Sequence, residues 1–151
     1  MDDLRRMRNM WSHDYSLTTH VDSQALWNVL SDVEGWVQWN DGIESIELDG
    51  PLAVGTTFRM TPPGEDTITS TIADLQPGRS LTDLTELNGL GITVEHRLDP
   101  EPEGGTTVTY RVQVNGAVPD EVAEEVGTAV SADFPDVLTN LVAAVQARRD
   151  R

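Results

Sequence analysis

The chain has 151 residues, 38% of them hydrophobic and 24% charged, which suits one globular domain with a substantial core. Its 26 acidic residues face only 10 basic ones, all arginine, and the net charge of −16 argues against nucleic-acid and anionic-membrane partners. The absence of cysteine excludes disulfides, thiolate nucleophiles and thiolate metal sites.

Residues 1–12 read as an N-terminal arm. Met1–Met10 carries three arginines but no apolar core of signal-peptide length, and no apolar run approaches the ~18 residues of a membrane span, so the expected location is cytoplasmic without membrane insertion. From His13 the chain alternates, with Tyr15, Leu17, Thr19 and Val21 on one face, as a half-buried strand does. Asp22 or Ser23 is placed to cap a helix through Ala25, Leu26, Trp27, Val29 and Leu30, and a second short helical turn follows over Gly35–Asn40.

The middle of the chain reads as consecutive strands. Ile43–Asp49 comes first, and the next opens at Gly55, with Phe58 and Met60 turned inward. In Thr67–Leu75, Ile72 and Leu75 have opposite parity, which leaves the inward face of the strand open and is compatible with a bulge between them. Pro77-Gly78 turns the chain into Ser80–Leu87, and Asn88-Gly89 marks a tight hairpin. Beyond it, Ile92, Val94, His96 and Leu98 form one apolar face. The Thr106–Asn115 segment gives the cleanest alternation, with Val108, Tyr110, Val112 and Val114 inward.

After Gly116 a long helical region begins, with Pro119 suited to its first turn and a bend expected near Asp133 because Pro135 cannot sit in mid-helix. Phe134, Leu138, Leu141 and Val145 recur at helical spacing, and Val122, Val126 and Val130 are expected to continue that stripe. The resulting fold class is α+β: a curved antiparallel sheet of about six or seven strands wrapped around a long C-terminal helix, with two short helices after the first strand.

Spaced motifs in this order resemble a known family. They are Trp27-x-x-Leu30-Ser31-Asp32-Val33-Glu34-Gly35-Trp36-x-x-Trp39-Asn40, then Gly50-Pro51-Leu52, Gly55-Thr56-x-Phe58, Pro77-Gly78-Arg79, His96-Arg97-Leu98-x-Pro100, Gly105-Thr106-x-Val108 and the closing Asp133-Phe134-Pro135-x-x-Leu138-x-x-Leu141. Together they are similar to the START-like helix-grip superfamily, and within it to the polyketide cyclase/dehydrase and lipid-transport family. The resemblance spans residues 13–147 and implies one START-like domain over 1–151, with a ligand cavity between sheet and C-terminal helix. Small side chains at Ala129, Ala132 and Ala144 would leave room there if they face inward.

Three functions are compatible with that cavity. The first is binding of a hydrophobic or aromatic small molecule, such as a lipid, quinone or polyketide-like ring system. The second is a polyketide cyclase/dehydrase-type enzyme promoting aldol cyclisation or dehydration, and the third is a stress or co-chaperone-like interaction domain with a vestigial cavity. The expected lining is Trp36, Trp39, Phe58, Met60, Val94, Val112, Phe134, Leu138 and Leu141. For the enzyme, His96 is the candidate base, with Asp83 and Tyr110 in support. Each has a structural alternative: His96 as a core histidine bonded to a carbonyl, Tyr110 as a packed ring, and Asp83 as an exposed acid if Leu84 is the inward residue. Trp36 and Trp39 equally suit a cavity mouth or pins for the short helices. His13, His20 and His96 lack metal-site spacing, so neither metal nor cofactor is expected, and the chain is expected to be a monomer or weak dimer.

Overall fold

The computed structural model describes residues 9–149, and its elements follow the expected order. Strand β1 spans Asn9–Thr19, helix α1 Ser23–Leu30 and a 3₁₀ helix η1 Val33–Gln38. Six more strands follow: β2 Ser45–Leu48, β3 Thr57–Thr61, β4 Ile68–Gln76, β5 Ser80–Leu87, β6 Leu90–Pro100 and β7 Thr106–Gly116. Helices α2 (Asp120–Ser131) and α3 (Phe134–Arg149) close the chain.

All seven strands form one antiparallel sheet in the order β1-β7-β6-β5-β4-β3-β2. Strands β1 and β2 therefore lie at opposite edges, and α1 with η1 carries the chain from one edge to the other. Helix α1 packs against α3 and β6, while η1 packs against β2. This is the helix-grip architecture expected from the pattern.

Local chemistry explains the boundaries. Asp22 is the N-cap of α1, its Oδ1 accepting from the Ala25 amide at 2.8 Å. Asn88 and Gly89 both adopt positive φ (52° and 80°), the left-handed pair that a two-residue hairpin between twisted strands requires. The register of β4 against β5 shifts between Ile72 and Asp74, a bulge that accounts for the opposite parity of Ile72 and Leu75. Helix α2 ends at Ser131 and α3 begins at Phe134, so Pro135 falls in a first turn, where its missing N–H leaves no bond unmade.

Three expectations need correction. Strand β1 starts at Asn9, so residues 9–12 of the expected arm belong to the sheet, and residues 1–8 lie outside the described residues. The reason is β7, long enough to pair with β1 from Asn9↔Gly116 to Thr19↔Thr106. Pro119 is the N-cap of α2 and not a first-turn residue. The valine stripe of α2 fails at its first member: Val122 is exposed, whereas Ala123, Gly127 and Ser131 are buried and the half-buried Val126 and Val130 pack against the core. The Trp11 ring of β1 determines this, because a Cβ on Gly127 would overlap its ring carbons, so only a glycine lets the helix settle there. The neighbouring Val126 and Val130 are turned toward a cavity.

Candidate functional site

Between the inner sheet face and the two C-terminal helices lies a cavity of about 470 Å³, a size typical of small-molecule sites. Its floor is the sheet, with Phe58 and Met60 from β3, Asp83 from β5, Val94 and His96 from β6, and Tyr110 from β7. Trp36, Trp39 and Ile43 close it from the η1 side, and Val126, Val130, Phe134 and Val137 cover it from α2 and α3. The exposed wall residues Glu65, Leu87 and Asp133 lie at its opening.

An aromatic chain runs through this wall. Trp36 meets Phe58 at 6.1 Å and His96 at 5.1 Å between ring centroids; His96 meets Tyr110 edge-on at 4.6 Å, and Tyr110 meets Phe134 at 5.5 Å. Trp36 is fixed by its indole N–H, which donates to the Leu30 carbonyl at 2.8 Å. The indole nitrogen of Trp39 is buried without a hydrogen-bond partner.

His96 and Asp83 are brought close by strand register. Leu81 pairs with His96 and Asp83 with Val94, so both polar residues share the inner face, one step apart across β5 and β6. The face of Asp83, open from sequence, is therefore inward, and Asp83 is only 8% exposed. His96 Nδ1 lies 2.8 Å from the Leu81 carbonyl. A carbonyl only accepts, so this bond assigns the proton to Nδ1 and leaves a lone pair on Nε2. That nitrogen is 3.9 Å from Asp83 Oδ2, too far for a hydrogen bond.

Burial sets the charges. It lowers the His96 pKa to about 4, the Leu81 bond only partly opposing it, so the imidazole is neutral at pH 7. Burial alone raises Asp83 to about 7. The pair is close enough for an ion pair, yet at neutral pH it consists of a neutral ring beside a carboxyl near its midpoint. Tyr110 is pushed upward by burial and then by Asp83 and Asp133, so its phenol stays protonated and able to donate. The Asp133 carboxyl is also raised, chiefly by partial desolvation. Ser70 and Thr85, also in the wall, bond each other at 2.6 Å. Among the described residues, no group of three or more His, Asp or Glu side chains converges as metal ligands would.

Nine of the twelve expected site residues line this cavity: Trp36, Trp39, Phe58, Met60, Asp83, Val94, His96, Tyr110 and Phe134. Val112, Leu138 and Leu141 do not; each has 0% exposure and belongs to the solid core. They share the inward faces but lie at levels where helix and sheet meet without a gap. Ala129 lines the cavity, whereas Ala132 is exposed and Ala144 packs against the core. Sequence reasoning missed Ile43, Val126, Val130, Asp133 and Val137 as lining. The available signal was the i, i+4 series Ala123, Gly127, Ser131, whose small side chains mark the packed face of α2 and leave its valines for the cavity.

A family model described as "Polyketide cyclase / dehydrase and lipid transport" matches residues 10–146. The chain belongs to that family. Its superfamily is the START-like helix-grip group, and solved structures agree on the fold. The Zhui aromatase/cyclase from Streptomyces sp. R1128 superposes with a TM-score of 0.77 at 20% identity, over 95% of this chain and 97% of that one. The di-domain aromatase/cyclase StfQ from the steffimycin biosynthetic pathway gives 0.76 at 16% identity, covering 99% of this chain and 54% of that one. Norcoclaurine synthase from Thalictrum flavum gives 0.73 at 14% identity, over 91% and 94% of the two chains. Direct sequence comparison with curated proteins finds no match. Among the described residues of this polyketide cyclase/dehydrase and lipid-transport family member, no helix is long and apolar enough to cross a membrane.

Proposed function

We propose that the protein binds a hydrophobic or aromatic small molecule in the cavity between its sheet and C-terminal helices. The observation that carries this reading is the cavity itself: about 470 Å³ left open inside a well-packed domain, walled mainly by aliphatic and aromatic side chains. An opening of that size gives no support to a vestigial cavity in an interaction domain. The test is native mass spectrometry of protein purified from its own host. A bound apolar mass is expected, and Val130→Phe, which places a ring in the space, should lose it while remaining folded. Repeated host preparations without any bound species would end the reading.

A second reading, the cyclase/dehydrase-type enzyme, is favoured by one feature, an imidazole with an unprotonated Nε2 whose ring meets the Tyr110 ring edge-on in the cavity wall. In an aldol closure, Nε2 would remove a proton from the carbon between two carbonyls, and the Tyr110 phenol, if its hydroxyl reaches the same substrate, would donate to the enolate oxygen. The enolate carbon would then attack a second carbonyl, and the imidazolium would return its proton to the new alkoxide. A base held near pKa 4 is weaker than a free imidazole, and this ranks the enzyme behind the binding protein. If the enzymatic reading is right, His96→Gln lowers turnover of a poly-β-ketone analogue by about 100-fold or more. Turnover that survives the substitution would remove His96 as the base.

A further inference from the structure

The charged residues of the cavity wall are all acids: Glu65, Asp83 and Asp133. No arginine is among the lining residues, and the arginines with described side chains are engaged elsewhere. Arg59 pairs with Glu47 and Asp49, Arg79 and Arg97 with Asp99, Arg111 with Asp14, and Arg148 with Asp32, every one of them on the surface. The single imidazole in the wall, His96, is neutral at physiological pH.

Asp83 is the decisive member. Its side chain is 11% exposed, lines the cavity and receives no hydrogen bond from the described residues; His96 Nε2 lies 3.9 Å from its Oδ2. A bare carboxylate in an apolar hollow is costly unless a partner arrives. Among the described residues its one charged-type contact is the neutral His96 imidazole, which brings no counter-charge, so a cation would have to come from outside. The aromatic rings of Trp36, Trp39, Tyr110 and Phe134 in the same wall suit a ligand with an apolar body. An anion would meet three acids and no counter-charge inside a protein of net charge −16.

We infer that the cavity selects its ligand by charge: it takes an aromatic or otherwise apolar molecule bearing a protonated amine, seated on the Asp83 carboxylate, and rejects carboxylates and phosphates. This rests on the cavity being a ligand site. Around Asp83 the other titratable groups are His96 from β6, Tyr110 from β7, Glu65 from the β3–β4 loop and Asp133 from the α2–α3 break. None of these is a cationic partner: His96 is neutral at pH 7 and Tyr110 keeps its proton.

Three naphthalenes of nearly equal size separate the possibilities: 1-naphthylmethylamine, 1-naphthalenemethanol and 1-naphthoate, titrated calorimetrically into the full chain at about pH 8, above the Asp83 midpoint and below that of the amine. The amine should bind about tenfold or more tighter than the alcohol, with the carboxylate weakest. Lowering the pH to about 5.5 protonates Asp83 and should erase most of the preference, with about one proton released per amine bound near that pH. Asp83→Asn should bring the amine-to-alcohol ratio close to unity at every pH, and the pH series on the unmodified protein gives the same answer without a variant. An alcohol or carboxylate that binds as tightly as the amine, or a preference that survives in Asp83→Asn, would overturn charge selection while leaving the cavity as a ligand site. Failure of all three probes to bind would overturn the ligand site itself, and charge selection with it.

Discussion

Asp83→Asn is expected to make the protein more stable, by about 2–4 kcal/mol at pH 8 and by almost nothing at pH 4. The carboxyl moves from an ordinary value of 3.8 to about 7 on folding, because burial disfavours its charged form. At roughly 1.4 kcal/mol per unit, that shift exceeds about 4 kcal/mol before local relaxation reduces it. A carboxyl raised in the folded state binds its proton more tightly there than in the unfolded chain. Its contribution is therefore full at low pH, is lost as pH rises between about 4 and 7, and is level above that. His96→Gln should show the opposite slope. The folded imidazole sits near 4 against 6.5, so below pH 6.5 the unfolded chain takes up a proton that the folded one does not, and the native protein loses stability as pH falls from about 6.5 to about 4. Removing the imidazole removes that loss. In the unmodified protein the two effects oppose one another over most of this window, so its own pH profile hides both. Urea unfolding of the three proteins from about pH 4 to about pH 8 checks this, with differences from the unmodified protein cancelling the titration of the remaining acids. A parallel offset for Asp83→Asn across the whole range would mean that the carboxyl is solvated and the wall is not as described. A residue that costs stability and accepts no hydrogen bond from the described residues fits a ligand-facing role, since such sites commonly work against the fold that holds them.

How far the sequence was informative follows from which interactions are local. The alternation of Val108, Tyr110, Val112 and Val114 is imposed by the pleat and holds wherever the strand sits, so β7 and its inward face could be read directly. Asn88-Gly89, Asp22 and Pro135 act through their own backbones, and hairpin, cap and helix break are all where those residues put them. Even the β4 bulge left a trace, in the parity of Ile72 against Leu75. The face of Asp83 was less secure, since Leu81 and Leu84 point opposite ways from β5 and only the pairing with β4 and β6 decides between them. Depth along an element was not legible at all. Periodicity tells which side Val112 or Leu138 faces but not whether the opposing element is in contact or several ångströms away at that level. The cavity is defined by that separation. Val122 failed for a related reason: the seat of α2 is set by Trp11, more than a hundred residues away in sequence, meeting Gly127.

The contrast between level and face yields the other large effect. Leu138→Ala should cost about 3–4 kcal/mol, while Val137→Ala, one residue earlier, should cost about 1 kcal/mol. Leu138 has no exposed surface and does not touch the cavity, so its truncation opens a sealed void in addition to losing the transfer energy of three carbons. Val137 is nearly as buried, at 3% exposure, but it lines the cavity. Removing its two methyl groups enlarges a space that already exists, so its atoms give up fewer contacts and no new sealed surface is created. Exposure alone would rank the two residues together; what separates them is whether the atoms on the far side are protein or open volume. Chemical denaturation at pH 7 gives both values, and equal costs would mean that α3 does not rest on the body of the domain at Leu138 while standing clear of the sheet at Val137. That difference between neighbouring residues is the physical content of a helix gripped along one side and left apart from the sheet along another.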